Sequence, residues 1–392
     1  MLPSLSLRSI THKSFSTTYF HDHTVTSIMK GHAGEKRRRR KVIFRRTTWS
    51  LLLDFVIGWV AALLLLLFLR SYGLVDARPV VVSTAKEVVM MIVFGAVAGL
   101  LFGFIHLRSE RYYQRRFPLG KLLLVFLLIQ SMVVLLISGL IYRAYGRWFG
   151  LRSFTFWQFI QTPSFTVFFV YALLTNSFLI TLRQVNLLLG PGNLMRFVRG
   201  EFYHPHEEVM IFMFLDLQSS TALAEQLGHI RYSQLIQECF SDLSLVTDFK
   251  ASIYQYVGDE AVLTWKQVEG LDNHNCLRAF FAFEDRLLQR ADVYQRRYGT
   301  VPVFKAGVNI GQVTVAEVGV VKREIAFHGD TVNTAARIQG QYNTYDKRLL
   351  ISEFLQKRLS NTREFHQERI GTISLRGKRE TLGLYAVERS VV

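Results

Sequence analysis

The chain has 392 residues, half of them hydrophobic, and a formal net charge of +17. That length allows two or three domains, and the hydrophobic fraction is high for a soluble protein. Residues 1–200 contain 25 Lys and Arg against 6 Asp and Glu, whereas residues 201–392 contain 22 against 24. A nucleic-acid-binding protein would carry its basic excess on the folded reading domain. Here the excess lies beside apolar segments, which favours a membrane surface over nucleic acid as the partner.

Residues 1–48 are a basic N-terminal segment that we expect to be disordered. The segment begins with a stretch rich in Ser, Thr and His, without the long apolar core of a secretory signal. Met29 is an alternative start to Met1. The basic run from Lys36 to Arg46 leads directly into an apolar segment, where positive charge is typical of the cytoplasmic side of a membrane.

A four-span transmembrane region is predicted over residues 49–182, because four apolar segments there approach the roughly 20 residues that cross a bilayer. The connector between the second and third segments is strongly basic. With the N-terminus inside, four crossings return the chain to the cytoplasm, and this connector agrees with that topology. We therefore expect a multi-pass protein of a bacterial inner or plasma membrane. The four segments are 49–69, 88–107, 121–142 and 163–182.

Residues 183–207 are predicted to be a linker, since Gly190-Pro191-Gly192 would break a helix. Residues 208–392 alternate strand and helix patterns like a compact α/β domain. Its two cysteines, Cys239 and Cys276, lie outside any CxxC or Cys/His cluster. Buried free thiols are therefore expected rather than a disulfide or a zinc site.

The first candidate site lies where a strand pattern meets a helix pattern. The apolar run Val209–Leu215 predicts a central strand that ends in Asp216. Ser219, Ser220 and Thr221 then begin an amphipathic helix, whose N-terminal N–H groups could bind phosphate. Taken alone, an ordinary capped strand–helix junction explains these residues better.

The second candidate site is a hairpin. In ASIYQYVGDEAVLTW, two β-rich runs flank Gly258-Asp259, which predicts a turn between strands. Asp216 and Asp259 would both lie at strand ends of one domain. Two such carboxylates could bind Mg²⁺, which prefers a few carboxylate oxygens together with substrate phosphates.

The third candidate site is a turn followed by a helix, in the segment REIAFHGDTVNTAARIQ. Gly329-Asp330 precedes a helix that carries Asn333 and Arg337 on one face at i,i+4 spacing. Such a polar pair is usually solvated. The adjacent Ala335 and Ala336 indicate a helix that packs closely against another element.

The segments FLDLQSST, YVGDE and GDTVNTAAR, in this order, resemble the catalytic motifs of class III adenylate/guanylate cyclases. The resemblance implies that Asp216, Asp259 and the Leu217 carbonyl hold two Mg²⁺ or Mn²⁺ ions. It implies that Asn333 orients the ribose and that Arg337 stabilises charge at the α-phosphate in the transition state. The expected fold is α+β, a ferredoxin-like palm (βαββαβ) with added strands, preceded by the four-helix transmembrane region.

Three positions depart from the family's usual residues. The family usually has Lys where this chain has Arg376, a cation that could also bind the terminal phosphates. At the two base-reading positions this chain has Gln255 and Ala326, which match neither the adenylate nor the guanylate cyclase pattern. ATP is the expected substrate because most bacterial-looking members use it. A guanylate or dual-purine cyclase stays open.

In the family the metal carboxylates and the Asn/Arg pair come from different domains of a dimer. One chain here has one complete set, so the resemblance implies a head-to-tail homodimer with two equivalent sites. A membrane-bound adenylate cyclase that makes 3′,5′-cyclic AMP and pyrophosphate is the leading prediction. The alternative from another class is a non-catalytic membrane receptor with a degenerate cyclase domain.

Overall fold

A computed structural model describes residues 49–72, 85–113, 119–149, 155–190, 193–360, 363–374 and 381–390. The chain divides into two compact units, with the division between Leu179 and Ile180. The predicted disordered segment 1–48 lies outside the described residues.

The first unit is helical, with five helices over its described length. They are α1 (Trp49–Ser71), α2 (Ala85–Tyr113), α3 (Leu119–Phe149), α4 (Phe156–Ile160) and α5 (Pro163–Leu189), the last of which continues into the second unit.

Three of these helices are long and apolar enough to cross a membrane, namely Trp49–Ser71, Glu87–Ser109 and Phe165–Leu189. The expectation of four such helices is met only in part. The helix α3 covers the predicted segment 121–142, but its described apolar stretch is the shorter Leu124–Gly139. Three candidate spans are therefore established by length and composition, and a fourth crossing stays a prediction.

Glycines let α1 and α2 approach closely. A Cβ atom added at Gly99 would lie 2.5 Å from the Val56 Cα, and one added at Gly95 would lie 2.7 Å from the Val60 Cα. Beside this contact, Trp59 stacks on Phe102 with ring centroids 5.1 Å apart. Small residues that admit a neighbouring backbone are typical of helix packing in lipid.

The second unit contains one eight-stranded sheet with helices around it. The predicted linker region includes the short helix α6 (Asn193–Val198), and the buried Phe202 packs against the domain. The strands are β1 (His206–Leu217), β2 (Ser252–Val257), β3 (Glu260–Lys266), β4 (Phe304–Val318), β5 (Glu324–His328), β6 (Leu349–Ser352), β7 (Phe365–Ser374) and β8 (Thr381–Arg389).

The helices of the second unit lie between these strands. The main ones are α7 (Ser220–Leu243), α9 (Asn275–Gln289), α10 (Ala291–Tyr298) and α11 (Asp330–Gly340). Three short helices complete the described set, namely α8 (Gln267–Leu271), α12 (Tyr342–Tyr345) and α13 (Glu353–Gln356). Single turns of 3₁₀-helix cover Ser244–Phe249 and Asp272–His274.

The sheet order is β2-β3-β1-β4-β6-β8-β7, with β5 paired to β4. The strand β1 lies antiparallel to both β3 and β4, and β6 is parallel to β4. The expected βαββαβ order is present in β1-α7-β2-β3-α9-β4, and the remaining strands are added on the side of β4 that faces away from β1. The mixed α+β sheet predicted from the sequence is thus confirmed.

The central strand β1 is buried on both faces. Ile211, Met213 and Leu215 belong to the main core cluster, whereas Met210 and Phe212 pack in a second cluster that includes Ala335 of α11. Alternate residues of a strand face opposite sides of a sheet, so each face of β1 is covered. Both cysteines are buried and free, as expected.

The helix α11 is fixed to β4 at two points. Near its start, the Thr331 hydroxyl donates to the Gln312 carbonyl at 2.8 Å, and the Asn309 amide donates to the Thr331 carbonyl at 3.0 Å. Near its end, a Cβ atom at Gly307 would overlap the backbone nitrogen of Gln339. Glycine at 307 therefore sets how closely this helix approaches the sheet.

We expect Gly307→Ala to destabilise the protein, because the added methyl group would force α11 away from β4. Overpacking of this kind costs about 1–3 kcal/mol, or a fall in melting temperature of roughly 2–12 °C at about 2–4 °C per kcal/mol. The matched control is Gly340→Ala, since a Cβ atom there meets nothing within 4 Å. Thermal unfolding of the purified protein should show a loss for the first variant and none for the second; equal melting temperatures would refute the close-packing argument.

Candidate active site

Two carboxylates meet at the end of the central strand. Asp216 lies on β1 directly opposite Glu260 of β3, and Asp259 immediately precedes that residue in the hairpin. Gly258 makes the turn with a positive φ of 61°, a conformation that glycine adopts without strain. The strand pairing therefore places the Asp259 carboxyl group close enough to Asp216 to raise its pKa.

Two acids beside Asp259, namely Asp216 and Glu260, have raised proton affinity. Burial and the neighbouring Asp259 raise the pKa of Asp216 to about 6, against the opposing effect of hydrogen bonds from the Leu217 backbone and Gln339. Burial, Asp216 and Asp259 likewise raise the pKa of Glu260 to about 7. Like charges in a partly buried site disfavour ionisation.

The donor set fits a hard divalent cation. The Asp259 Oδ2 is buried and has no hydrogen-bond partner among the described residues, although a buried carboxylate oxygen normally has one. Within the described ranges no group of three or more His, Cys, Asp or Glu is arranged to hold a metal. Two carboxylates plus backbone and substrate oxygens are the arrangement that Mg²⁺ prefers. The Leu217 carbonyl as a further ligand stays a prediction.

The N-terminus of α7 follows the acidic pair. Ser219 has a left-handed φ of 57° and its side chain makes no capping hydrogen bond, so the ordinary side-chain cap that the sequence suggested is not formed. Ser219 and Thr221 are exposed and Ser220 is half-buried. First-turn N–H groups without a side-chain cap remain available to an anion.

The helix α11 presents its polar pair away from the sheet. Thr331, Thr334, Ala335 and Ile338 are the buried residues of this helix. Asn333 is exposed and Arg337 is half-buried. Among the described residues, no hydrogen bond or ion pair joins Asn333 or Arg337 to Asp216 or Asp259. Within one chain the structure therefore does not join Asn333 and Arg337 to the acidic pair.

The two predicted base-reading positions lie on β2 and β5, which are separated in the sheet by β3, β1 and β4. Gln255 is exposed and follows a β-bulge in β2, and Ala326 of β5 is paired with Ala316 of β4. The rings of Tyr254 and Phe327, their neighbours in sequence, meet at 4.8 Å. The third phosphate-binding candidate, Arg376, lies outside the described residues.

Four residues around the site were not identified from the sequence. The Gln339 amide donates to the Asp216 carboxylate at 3.1 Å, and Glu260 and Tyr232 complete the surroundings of the acidic pair. The buried Lys305 lies opposite Asp216 in the β1–β4 pairing, with its ammonium 4.3 Å from the centroid of the Tyr342 ring. Only Glu260 had a sequence signal, as the acid next to Asp259.

The sequence matches the family described as adenylate and guanylate cyclase catalytic domain over residues 202–389. Adenylate cyclase 2 of Rhizobium meliloti is 34% identical over 226 residues, covering 57% of this chain and 62% of that protein. Adenylate cyclase 1 of the same organism is 27% identical over 181 residues, covering 45% of this chain and 27% of the relative. The chain thus spans less than two thirds of the length of these relatives.

A solved structure of a bacterial light-regulated adenylyl cyclase shares the fold with a TM-score of 0.50 at 16% identity, covering 59% of this chain and 69% of that one. Identity at that level establishes the fold alone. The family match includes the Asp216, Asp259 and Asn333–Arg337 motifs and spans every strand of the second unit. Residues 202–389 therefore belong to the class III adenylate and guanylate cyclase family, as its catalytic domain.

Proposed function

We propose that this protein is a membrane-bound adenylate cyclase that converts ATP to 3′,5′-cyclic AMP and pyrophosphate. The observation that carries the proposal is the pair of neighbouring carboxyl groups of Asp216 and Asp259. The buried Asp259 Oδ2 of this pair has no hydrogen-bond partner among the described residues. In the reaction the ribose 3′-hydroxyl loses its proton to solvent, and its oxygen attacks the α-phosphorus. The bond from that phosphorus to the oxygen bridging to the β-phosphate then breaks, releasing pyrophosphate.

Two Mg²⁺ or Mn²⁺ ions, when bound, supply Lewis-acid stabilisation of the 3′-oxygen and of the triphosphate charge. In the proposed site Asp216, Asp259 and the Leu217 carbonyl would hold these cations. Asn333 orients the ribose, and Arg337 stabilises charge that develops at the α-phosphate.

The proposal also assigns the triphosphate contacts. The N–H groups at the start of α7, from Ser219 to Thr221, receive phosphate oxygens, which the absence of a side-chain cap at Ser219 permits. Arg376 binds the terminal phosphates in place of the family's usual lysine.

We propose that two copies of the chain share each site. Support comes from α11, whose Asn333 is exposed and makes no side-chain hydrogen bond among the described residues. A head-to-tail arrangement with two-fold symmetry would give two equivalent sites, each with carboxylates from one protomer and Asn333 and Arg337 from its partner.

We further propose the division into a basic segment (1–48), a transmembrane region (49–182), a linker (183–207) and the cyclase domain (208–392). Four crossings would place the N-terminus and the cyclase domain in the cytoplasm of a bacterial cell. The fourth crossing would be α3, since residues 122–142 contain no charged side chain. The transmembrane region would anchor the enzyme and help it dimerise.

The two predicted base-reading positions, Gln255 and Ala326, do not distinguish adenine from guanine, so a guanylate or dual-purine cyclase is the second candidate. Gln255 can donate and accept hydrogen bonds and could face either purine edge, whereas the Ala326 side chain can do neither. Support for ATP comes from the relatives named adenylate cyclases. A non-catalytic receptor is disfavoured because Asp216, Asp259 and Arg337 are all present.

We expect Asp216→Asn and Asp259→Asn each to lower cyclase activity about a thousandfold, since a lost metal ligand costs several kcal/mol of transition-state stabilisation. The matched control is Asp272→Asn, an exposed acid paired with Lys250. Product formation from ATP with Mn²⁺ measures the effect. Retention of a tenth of wild-type activity in both site variants would defeat the assignment.

The same Asp216→Asn variant should stabilise the metal-free protein above pH 6. The folded pKa of Asp216 is raised from 3.8 to about 6, so the folded state favours the protonated form and loses stability as pH rises between these values. Melting temperatures at pH 4 and pH 7.5 without metal should show a gain for the variant at the higher pH alone. A gain at both pH values would point to another cause.

We expect the double variant Gln255→Lys, Ala326→Asp to prefer ATP more strongly than the wild type does. A new hydrogen-bonding pair at the adenine edge adds about 1–3 kcal/mol of discrimination, or roughly 5–150-fold in relative kcat/KM. Rates with ATP and GTP measured on the same preparation give this ratio. An unchanged ratio in a folded double variant would show that the base is recognised elsewhere.

Sharing of the site between protomers predicts complementation. Asp216→Ala and Arg337→Ala should each be nearly inactive, but a heterodimer of the two has one site with both lesions and one site with neither. Random pairing makes about half the dimers mixed, so co-expression should restore roughly a quarter of wild-type activity. Co-expressed protein that contains heterodimers, shown by two different tags, yet stays inactive would exclude the shared site.

A further inference from the structure

One side chain connects the acidic pair to α11. The Gln339 Nε2 donates a hydrogen bond of 3.1 Å to the Asp216 Oδ2. Gln339 is half-buried and lies one residue before the end of α11. The bond therefore joins a carboxylate on the central strand to a helix that is 123 residues distant along the chain.

The position of this amide is set by backbone packing. At Gly307 the backbone of β4 lies so close to the Gln339 nitrogen that a Cβ atom would not fit. The hydrogen bonds of Thr331 hold the other end of α11 to β4. The strand β4 is in turn paired with β1, with Lys305 opposite Asp216. Donor and acceptor are thus both fixed to neighbouring strands of one sheet.

The chemistry of an amide suits a carboxylate that must also bind a cation. A carboxylate has two oxygens, and a neutral donor on one of them restrains the group without neutralising its charge. An ammonium group at this position would compete with a cation. A carboxylate in place of the Gln339 amide would add to the repulsion among Asp216, Asp259 and Glu260.

We propose that Gln339 is a positioning residue of the cation site, which holds the Asp216 carboxylate in the orientation that binds metal. The proposal rests on the function proposed above, since it assumes that Asp216 is a metal ligand. Residues that orient a ligand through a hydrogen bond commonly contribute 10–100-fold to metal affinity.

The test compares Gln339→Leu with Gln341→Leu in the full-length, detergent-solubilised protein. Gln341 is the C-cap residue immediately after α11, is also half-buried, and makes no side-chain hydrogen bond among the described residues. Binding of Mn²⁺ is titrated by electron paramagnetic resonance of the free ion, with 3′-deoxy-ATP present because it lacks the attacking hydroxyl. Cyclase rates are measured in parallel against Mn²⁺ concentration.

We expect Gln339→Leu to bind Mn²⁺ roughly 10–100-fold more weakly and to need correspondingly more Mn²⁺ for half-maximal rate. Because only positioning is lost, the rate at saturating Mn²⁺ should stay within about threefold of wild type, and Gln341→Leu should behave as wild type. The similarly sized Gln339→Met, which keeps the packing but has no donor, should weaken binding as much and serves if the leucine variant does not fold.

Unchanged Mn²⁺ binding in both folded Gln339 variants would overturn the proposal, as would a rate defect that saturating Mn²⁺ does not relieve. Failure of the proposed function has a different signature. In that case wild-type protein would not bind Mn²⁺ with the nucleotide, or Asp216→Asn would bind it as tightly as wild type. If the wild type binds Mn²⁺, the Asp216→Asn variant does not, and both Gln339 variants bind it normally, then only the positioning role of Gln339 is refuted.

Discussion

The contact between Asp216 and Asp259 is the constraint on which the rest of the catalytic domain depends. Two partly buried carboxylates repel each other, and burial with this repulsion raises the pKa of Asp216 to about 6. The fold keeps them together because β1 and β3 are paired along seven residues, up to Asp216 opposite Glu260. The free energy gained by packing the core on both faces of β1 offsets this repulsion.

The two faces of helix α11 have different roles. Its buried face, with Thr331, Ala335 and Ile338, fixes it on the sheet, while Asn333 faces solvent. The Gln339 bond to Asp216 then joins this helix to the carboxylate pair. If two chains share each site, as proposed, α11 contacts the metal half of one site while it carries the transition-state residues of the other. A shift of α11 would therefore affect both sites.

The helical unit is held together by different means. Its helices α1 and α2 meet through backbone contacts at Gly95 and Gly99, with stacked rings of Trp59 and Phe102 beside them. In lipid, where exposed apolar side chains carry no penalty, close van der Waals packing of this kind is what stabilises helix pairs. Exposed apolar residues such as Leu65, Val97 and Leu174 fit that environment.

The sequence alone determined the α+β class, the strand that ends in Asp216, the Gly258-Asp259 turn and the helix with Asn333 and Arg337. Each of these depends on local pattern: apolar runs, glycine at a turn, or i,i+4 spacing. The apolar length of residues 121–142 predicts a fourth crossing by α3, and the described apolar stretch of that helix is Leu124–Gly139.

Only the tertiary structure revealed Gln339, Tyr232 and Lys305 beside the acidic pair, and the uncapped start of α7 at Ser219. A glutamine near the end of a helix has no pattern that points to an aspartate 123 residues away. That contact exists because β1 and β4 pair and because Gly307 admits α11 to the sheet, and both are properties of packing between segments distant in sequence.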